Sequence, residues 1–172
     1  MSAAISAKQL AAATNETAHI ATREGSQALF VDCAAASHIV SVSSRIGELL
    51  PLYCTAHGKA LLTDAKERDL KALYGTRPLK KYTDKTIATL PDLAKDLATI
   101  RELGYAVDDA EFANELRCIA APIRLNGEIV GSVGISAPIL RVTPAANQAN
   151  AESVLRIAQK IGEILGGLQH EE

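Results

Sequence analysis

Two β-rich runs joined by Asn126-Gly127 are the feature that most restricts how this chain of 172 residues folds. The runs are LRCIAAPIRL at 116–125 and EIVGSVGIS at 128–136. Asn-Gly favours a type I′ turn, because both central residues of that turn need a positive φ, and this turn joins antiparallel strands. The sequence therefore predicts a β-hairpin within an antiparallel sheet.

The segments around the hairpin predict helices and further strands. The Ala-rich segment 3–22 lacks Gly and Pro and predicts a first helix. Thr55 is a predicted N-cap for a helix that begins at Ala56, and Thr89 is one for a helix that stops at Gly104. The remaining predictions are strands at 28–34, at 38–44 and from Tyr105, a short helix at 65–73 that Asp64 caps and Gly75 ends, an exposed connection at 76–88, and a closing helix at 145–168. Antiparallel strands with separate helices indicate an α+β fold.

The composition indicates one folded domain and excludes several classes of protein. A chain of 18.2 kDa is long enough for one sizeable core, and a hydrophobic share of 48% excludes disorder. The net charge of −2 lacks the basic excess that phosphate binding requires. No apolar run approaches the roughly 20 residues of a membrane span, and the N-terminus lacks the layout of a signal peptide. Three widely spaced cysteines predict reduced thiols in the cytoplasm.

Two local patterns suggest binding chemistry only weakly. Gly58-Lys59 lacks both the earlier glycine and the following hydroxyl residue of a phosphate loop. Cys54 and His57 have a spacing that can hold a metal, but a structural zinc usually takes four ligands from paired motifs. We therefore expect a buried thiol and a histidine here and no metal site.

The start of the helix at Ala56 is a stronger candidate for a binding site than these two patterns. The first N–H groups of a helix have no partner within the helix and attract anions. If the sheet brings Asp108, Cys118 and Ser136 close to this point, a small pocket for a carboxylate results. An ordinary helix cap and turn are the alternative, and the residues alone leave both open. Cys118, His57 and Asp108 are also the residue types of nucleophilic catalysis, although no local signature supports that interpretation.

Four motifs and two shorter segments occur in one order along nearly the whole chain. They are NET at 15–17, LFVD at 29–32, CTAHGKALL at 54–62, GYAVDD at 104–109, LRCIAAP at 116–122 and VGISAP at 133–138. In this order they resemble the effector-binding domain of the IclR family of bacterial transcription regulators. The resemblance implies a GAF-like fold for residues 1–172, with a central antiparallel sheet, helices on both sides and a small-molecule pocket. It also implies a winged-helix DNA-binding domain that lies outside these residues.

The resemblance places the family's effector pocket on six positions of this chain. They are Ala56, His57, Asp108, Cys118, Gly134 and Ser136. Characterised relatives sense small carboxylates such as glyoxylate or pyruvate, or aromatic acids. This chain has His57 where some relatives have a small residue, which adds an ionisable donor. It has Gly134 where some have a serine, which removes a hydroxyl and is expected to open space. Both differences favour a bulkier acid, including an aromatic one.

We therefore expect a ligand-sensing and oligomerisation domain of a transcription regulator, with no catalytic residue, no cofactor and no metal. Its expected partners are a small organic acid and further copies of itself, in a dimer or tetramer. It is expected to reach DNA only through the winged helix, to bind no membrane and to be cytoplasmic. A small cysteine-dependent enzyme and a free-standing interaction module without a ligand are the alternatives.

Overall fold

The predicted hairpin forms and is part of a six-stranded antiparallel sheet. The computed structural model describes residues 3–168. Asn126 and Gly127 have φ values of 52° and 85°, as a type I′ turn requires. The strands are β1 (Thr17–Glu24), β2 (Gln27–Ala34), β3 (Leu49–Pro51), β4 (Ala106–Asp109), β5 (Leu116–Leu125) and β6 (Glu128–Pro138). Their order across the sheet is β3-β2-β1-β6-β5-β4, and every neighbouring pair is antiparallel.

Helices cover both faces of the sheet, so the α+β prediction is confirmed. They are α1 (Ala3–Thr14), α2 (Ala56–Leu61), α3 (Glu67–Tyr74), α4 (Leu90–Leu103) and α5 (Pro144–Leu168). On β5, Ile119 faces a core that also contains buried residues of α1 and α5. The neighbouring Cys118 and Ala120 face a second core with residues of α2 and α4. This alternation is the period of two that a strand between two helical layers shows. Within residues 3–168, no helix is both long and apolar enough to cross a membrane.

The predicted helix caps at Thr55 and Thr89 are confirmed. Thr55 Oγ1 accepts a hydrogen bond from the Gly58 N–H at 3.1 Å, and Thr89 Oγ1 accepts one from the Asp92 N–H at 3.3 Å. Gly104 ends α4 in the left-handed conformation, with φ of 84°. Local hydrogen bonding and glycine conformation therefore fix these helix ends as the sequence predicts.

Gly58 allows α2 to lie directly against the chain that precedes it. A Cβ atom added at Gly58 would be 2.3 Å from the Cα and the carbonyl oxygen of Leu52. Backbone atoms cannot yield to such a contact as a flexible side chain can. Only glycine therefore permits this approach, which sets where the first turn of α2 meets the sheet.

The prediction of a single helix over 3–22 is wrong in its second half. Helix α1 ends at Thr14, and Asn15 has a left-handed φ of 54° that turns the chain. Residues 17–24 form β1, which pairs with β2 on one side and with β6 on the other. A strand with neighbours on both sides gains two ladders of hydrogen bonds, and this tertiary pairing outweighs the local helix preference of the Ala-rich sequence.

The predicted strand at 38–44 is also wrong. These residues contain no strand, and Ile39 and Val40 are exposed to solvent. Leu49–Pro51 pairs with β2 instead, as β3. Residues 38–44 alternate between polar and apolar side chains, but no neighbouring strand pairs with them. Alternation alone does not form a strand without such a hydrogen-bonded partner.

Asp64 does not cap the third helix. Lys66 is its N-cap, and the Asp69 carboxylate accepts a hydrogen bond from the Lys66 N–H at 2.8 Å. Asp64 instead forms an ion pair with Arg124, with 2.7 Å between Nη1 and Oδ2. The strand at 28–34, the end of this helix at Gly75 and the closing helix agree with prediction. The connection 76–88 contains no helix or strand.

Candidate functional site

Three of the predicted pocket residues form one row across neighbouring strands. Asp108 of β4 lies opposite Cys118 of β5, and Cys118 lies opposite Ser136 of β6. The Cys118 thiol donates a hydrogen bond to Ser136 Oγ at 3.3 Å. Directly opposite residues of antiparallel strands project to the same face. The three polar side chains therefore lie side by side on one face of the sheet.

Helix α2 begins at the same place. Its first two residues, Ala56 and His57, are buried and line one cavity together with the row of Asp108, Cys118 and Ser136. Helix geometry leaves the first N–H groups of α2 without partners inside the helix. The first turn of α2 thus forms one wall of the cavity, and the polar row forms another.

The cavity is small. Its free volume is about 20 Å³, the room that a single water molecule needs. The residues around it are Phe30, Arg45, Leu50, Thr55, Ala56, His57, Asp108, Phe112, Ala113, Leu116, Cys118 and Ser136. Five of the six predicted pocket residues are among them. A wider groove between α4, β5 and α5 lies open on the surface and contains none of the six, and an open groove buries a small ligand poorly.

Gly134 is the predicted pocket residue that does not line the cavity. It lies on β6 between β1 and β5, opposite His19 and Ala120. A Cβ atom added there would be 2.3 Å from the carbonyl oxygen of Ile119. The expectation that Gly134 opens space for a bulkier ligand is therefore wrong, because the backbone of β5 already fills that space.

His57 is an uncharged ring at neutral pH. Its Nδ1 is 2.9 Å from Ser132 Oγ, and its ring packs edge-on against Phe30 at 5.0 Å between centroids. Burial, with a smaller contribution from the neighbouring His19 ring, lowers the pKa of His57 to about 3. The Nε2 atom has no hydrogen-bond partner within the described part of the chain. His57 can therefore offer a neutral hydrogen bond, not a charge, to a ligand.

Asp108 joins the cavity to a network of charges beneath it. Its Oδ1 accepts a hydrogen bond from the Glu111 N–H at 2.7 Å. Burial raises the pKa of Asp108 to about 6, against the opposing effects of backbone N–H groups and of Lys59. The Glu111 carboxylate is 2.8 Å from Lys59 Nζ, on helix α2. Asp108 is thus linked to helix α2 through Glu111, which contacts both Asp108 and Lys59.

Cys118 and His57 do not form a catalytic pair. The Cys118 thiol is hydrogen-bonded to Ser136, and the His57 ring is hydrogen-bonded to Ser132. Burial, with a smaller contribution from the nearby Asp108, raises the pKa of Cys118 to about 12. A thiol with this pKa is not ionised at neutral pH and is a poor nucleophile. Among residues 3–168, no cluster of three or more His, Cys, Asp and Glu side chains is placed to hold a metal.

Arg45, Phe30 and Phe112 line the cavity but are not among the predicted site residues. Phe30 is on a strand that the sequence predicts, and its inward position follows from the alternation along β2. Arg45 and Phe112 lie on irregular connections, where no periodic pattern indicates the direction of a side chain. Only the folded chain brings them to the cavity.

The neutral state of His57 predicts how stability depends on pH. A histidine whose folded pKa is lowered does not change stability above its usual pKa of 6.5, but stability falls as the pH drops from 6.5 toward about 3, because only the unfolded chain then binds the proton. At pH 5 the loss from one such histidine is about 2 kcal/mol. His57→Gln removes it, so the free energy of unfolding of the parent, relative to that of the variant, falls by about 2 kcal/mol between pH 7 and pH 5. Urea unfolding of both proteins at the two pH values measures this, and an unchanged difference contradicts it.

Comparison with known proteins shows similarity to one family of transcriptional regulators. The family model for the C-terminal region of the bacterial transcriptional regulator IclR matches residues 1–163. The transcriptional repressor AllR of Escherichia coli K12 is 33% identical over 164 residues, which are 95% of this chain and 60% of AllR. The transcriptional regulator BhcR of Paracoccus denitrificans is 34% identical over 155 residues, 90% of this chain and 56% of BhcR. The chain thus spans little more than half of these relatives.

A solved structure has the same fold. The C-terminal domain of the Escherichia coli transcriptional regulator KdgR superimposes with a TM-score of 0.84 at 30% identity, and the match covers 95% of this chain and 96% of that domain. The sequence match and the fold lead to the same assignment. The chain belongs to the IclR family of bacterial transcriptional regulators and corresponds to its C-terminal, effector-binding domain.

Proposed function

We propose that this domain binds a small organic acid in the cavity beside α2 and that binding alters how the full-length regulator binds DNA. One observation carries the proposal. The polar row of Asp108, Cys118 and Ser136 meets the first turn of α2 in a single buried cavity. Buried clefts with a few converging polar groups are the usual form of small-molecule sites. The DNA-binding part is a winged helix elsewhere in the regulator, in the cytoplasm.

Each residue of the cavity has a proposed role toward the acid. The first turn of α2, at Ala56 and His57, attracts the carboxylate through its N–H groups. Ser136 and Cys118 form hydrogen bonds with a hydroxyl or keto group. Asp108 repels a carboxylate, and it therefore faces the uncharged, hydrogen-bond-donating end of the ligand.

The size of the cavity favours a small acid. A free volume of about 20 Å³ does not hold an aromatic ring, and even a three-carbon acid requires the residues above the cavity to move. Gly134 adds no room for a ligand, because the β5 backbone occupies the space next to it. Pyruvate and benzoate represent the small and the aromatic class of acid for experiment.

The two alternative functions have less support. A cysteine-dependent enzyme needs an ionisable thiol next to a base. Here Cys118 forms a hydrogen bond with Ser136, and His57 forms one with Ser132. The relatives AllR and BhcR are named as a transcriptional repressor and a transcriptional regulator, not as enzymes. An interaction module without a ligand does not bind either acid, so binding experiments separate it from the proposed sensor.

Ser136→Ala tests the ligand site. The variant removes one hydroxyl from the cavity, and loss of a single hydrogen bond weakens acid binding by about 1 kcal/mol, or roughly fivefold in Kd. Calorimetry with pyruvate and with benzoate measures the effect. Ser153→Ala, on α5 and away from the cavity, is the matched control and leaves Kd unchanged. Equal Kd values for parent and Ser136→Ala show that the acid lies elsewhere, and no binding of either acid to the parent contradicts the proposed function.

The domain is also proposed to self-associate, as a dimer or a tetramer. Ile39, Val40 and Leu140 are largely exposed apolar side chains. Arg141 Nη1 donates to the Val40 carbonyl at 2.7 Å, which brings the two segments that carry these side chains together. Exposed apolar groups gathered in one place are typical of interfaces between proteins.

Sedimentation tests this assembly directly. At micromolar concentration we expect species of two or four chains, and Leu140→Glu shifts them toward the single chain because it places a charge in the apolar patch. A parent protein that sediments only at 18.2 kDa contradicts self-association.

A further inference from the structure

The cavity contains one permanent cation, for which the sequence predicts no role. Of the twelve residues around the cavity, Arg45 is the only lysine or arginine. The carboxylate of Asp108 faces the same space but already accepts the Glu111 N–H at 2.7 Å. The cavity therefore contains an arginine and an aspartate that form no ion pair with each other.

Most hydrogen-bond donors of Arg45 are unused. Its Nη1 is 2.9 Å from Glu48 Oε2, and this contact between residues three apart is its ion pair in the structure. Within the described residues, neither its Nε nor its Nη2 has a hydrogen-bond partner. A guanidinium has five N–H donors in a planar fork that matches a carboxylate. Arg45 can therefore bind a second carboxylate without giving up Glu48.

Arg45 lines the cavity and is largely shielded from solvent. Its side chain is 23% exposed, and its guanidinium carbon is 6.0 Å from the centroid of the Phe112 ring. Its positive charge adds to the effect of burial in lowering the pKa of the His19 ring, and it opposes the larger effect of burial, which raises the pKa of the Cys118 thiol. An arginine that is largely shielded from water binds an anion more strongly than an exposed one.

Arg45 lies on an irregular connection and is the residue of that connection that lines the cavity. Residues 35–48 contain no helix or strand and are fixed at separate points, by Thr17 Oγ1 to the Val42 carbonyl at 2.8 Å and by the Gly47 N–H to the Phe30 carbonyl at 2.8 Å. Since the cavity has room for only one water, an acid can enter only if residues around it move.

We propose that Arg45 binds the carboxylate of the acid, which fixes the ligand with its charged end at Arg45 and its uncharged end at Cys118 and Ser136. This inference rests on the proposed function and adds to it a residue that selects for charge. A neutral amide of the same shape then lacks the interaction that Arg45 provides.

Paired ligands test the role of charge. Calorimetry compares pyruvate with pyruvamide, and benzoate with benzamide, on the parent chain, Arg45→Gln, Arg45→Lys and the control Arg68→Gln, which changes an arginine that is 83% exposed. For the parent and the control we expect the acid to bind about tenfold to hundredfold more tightly than its amide. Arg45→Gln binds acid and amide with similar Kd, and Arg45→Lys recovers part of the difference.

The outcomes separate this inference from the function on which it rests. If the parent binds an acid and Arg45→Gln keeps the full preference for acid over amide, Arg45 does not bind the carboxylate and the inference is overturned, while the acid site stands. If the parent binds neither acid, the proposed function fails and the inference with it. A loss of preference in Arg45→Gln without any change in its urea unfolding midpoint supports the inference, because a merely structural role would change both.

Discussion

The Lys59 ammonium group lies inside the protein, and the parts of the cavity are arranged around it. Lys59 is 1% exposed, and its Nζ donates to Asp96 at 2.7 Å, to the Val107 carbonyl at 2.7 Å and to Glu111 at 2.8 Å. Burial lowers the pKa of this amine, but the adjacent carboxylates outweigh burial and the net shift is upward. A buried charge without partners costs several kcal/mol, so these bonds are required for the fold.

These three bonds join the elements that form the site. Lys59 belongs to α2, Asp96 to α4, and Val107 to β4. Glu111 follows β4, and its N–H bonds to Asp108 while its carboxylate bonds to Lys59. These bonds therefore fix the position of α2 relative to Asp108. The position of the first turn of α2 and the position of the polar row thus depend on the same buried charge.

The sequence predicted those features that neighbouring residues determine. The Asn126-Gly127 hairpin and the caps at Thr55 and Thr89 form because local backbone geometry and side-chain hydrogen bonds are sufficient. The prediction of the first helix is wrong in its second half and that of a strand at 38–44 is wrong throughout, because strand pairing is decided by distant residues. Thr17–Glu24 gains partners on both sides, and residues 38–44 gain none.

The candidate site could be predicted in the same limited way. The family resemblance gave Ala56, His57, Asp108, Cys118 and Ser136, and strand register explains why three of them are neighbours. Arg45 and Lys59 could not be assigned, because an arginine on an irregular connection and a lysine on an apolar helix have no local signal for what they meet across the fold. Gly134 was misjudged for a similar reason, since the β5 backbone next to it is known only from the folded chain.

Urea unfolding of Lys59→Met is the most direct test that this buried charge holds the site together. The variant keeps the length of the side chain but leaves Asp96 and Glu111 without their cation, and we expect the free energy of unfolding at pH 7 to fall by about 3 kcal/mol. Lys71→Met, which removes an exposed lysine from its pair with Glu67, is the control and is expected to leave the unfolding midpoint unchanged. If Lys59→Met unfolds at the same urea concentration as the parent and the control, Lys59 does not hold the cavity in place and the central claim is wrong.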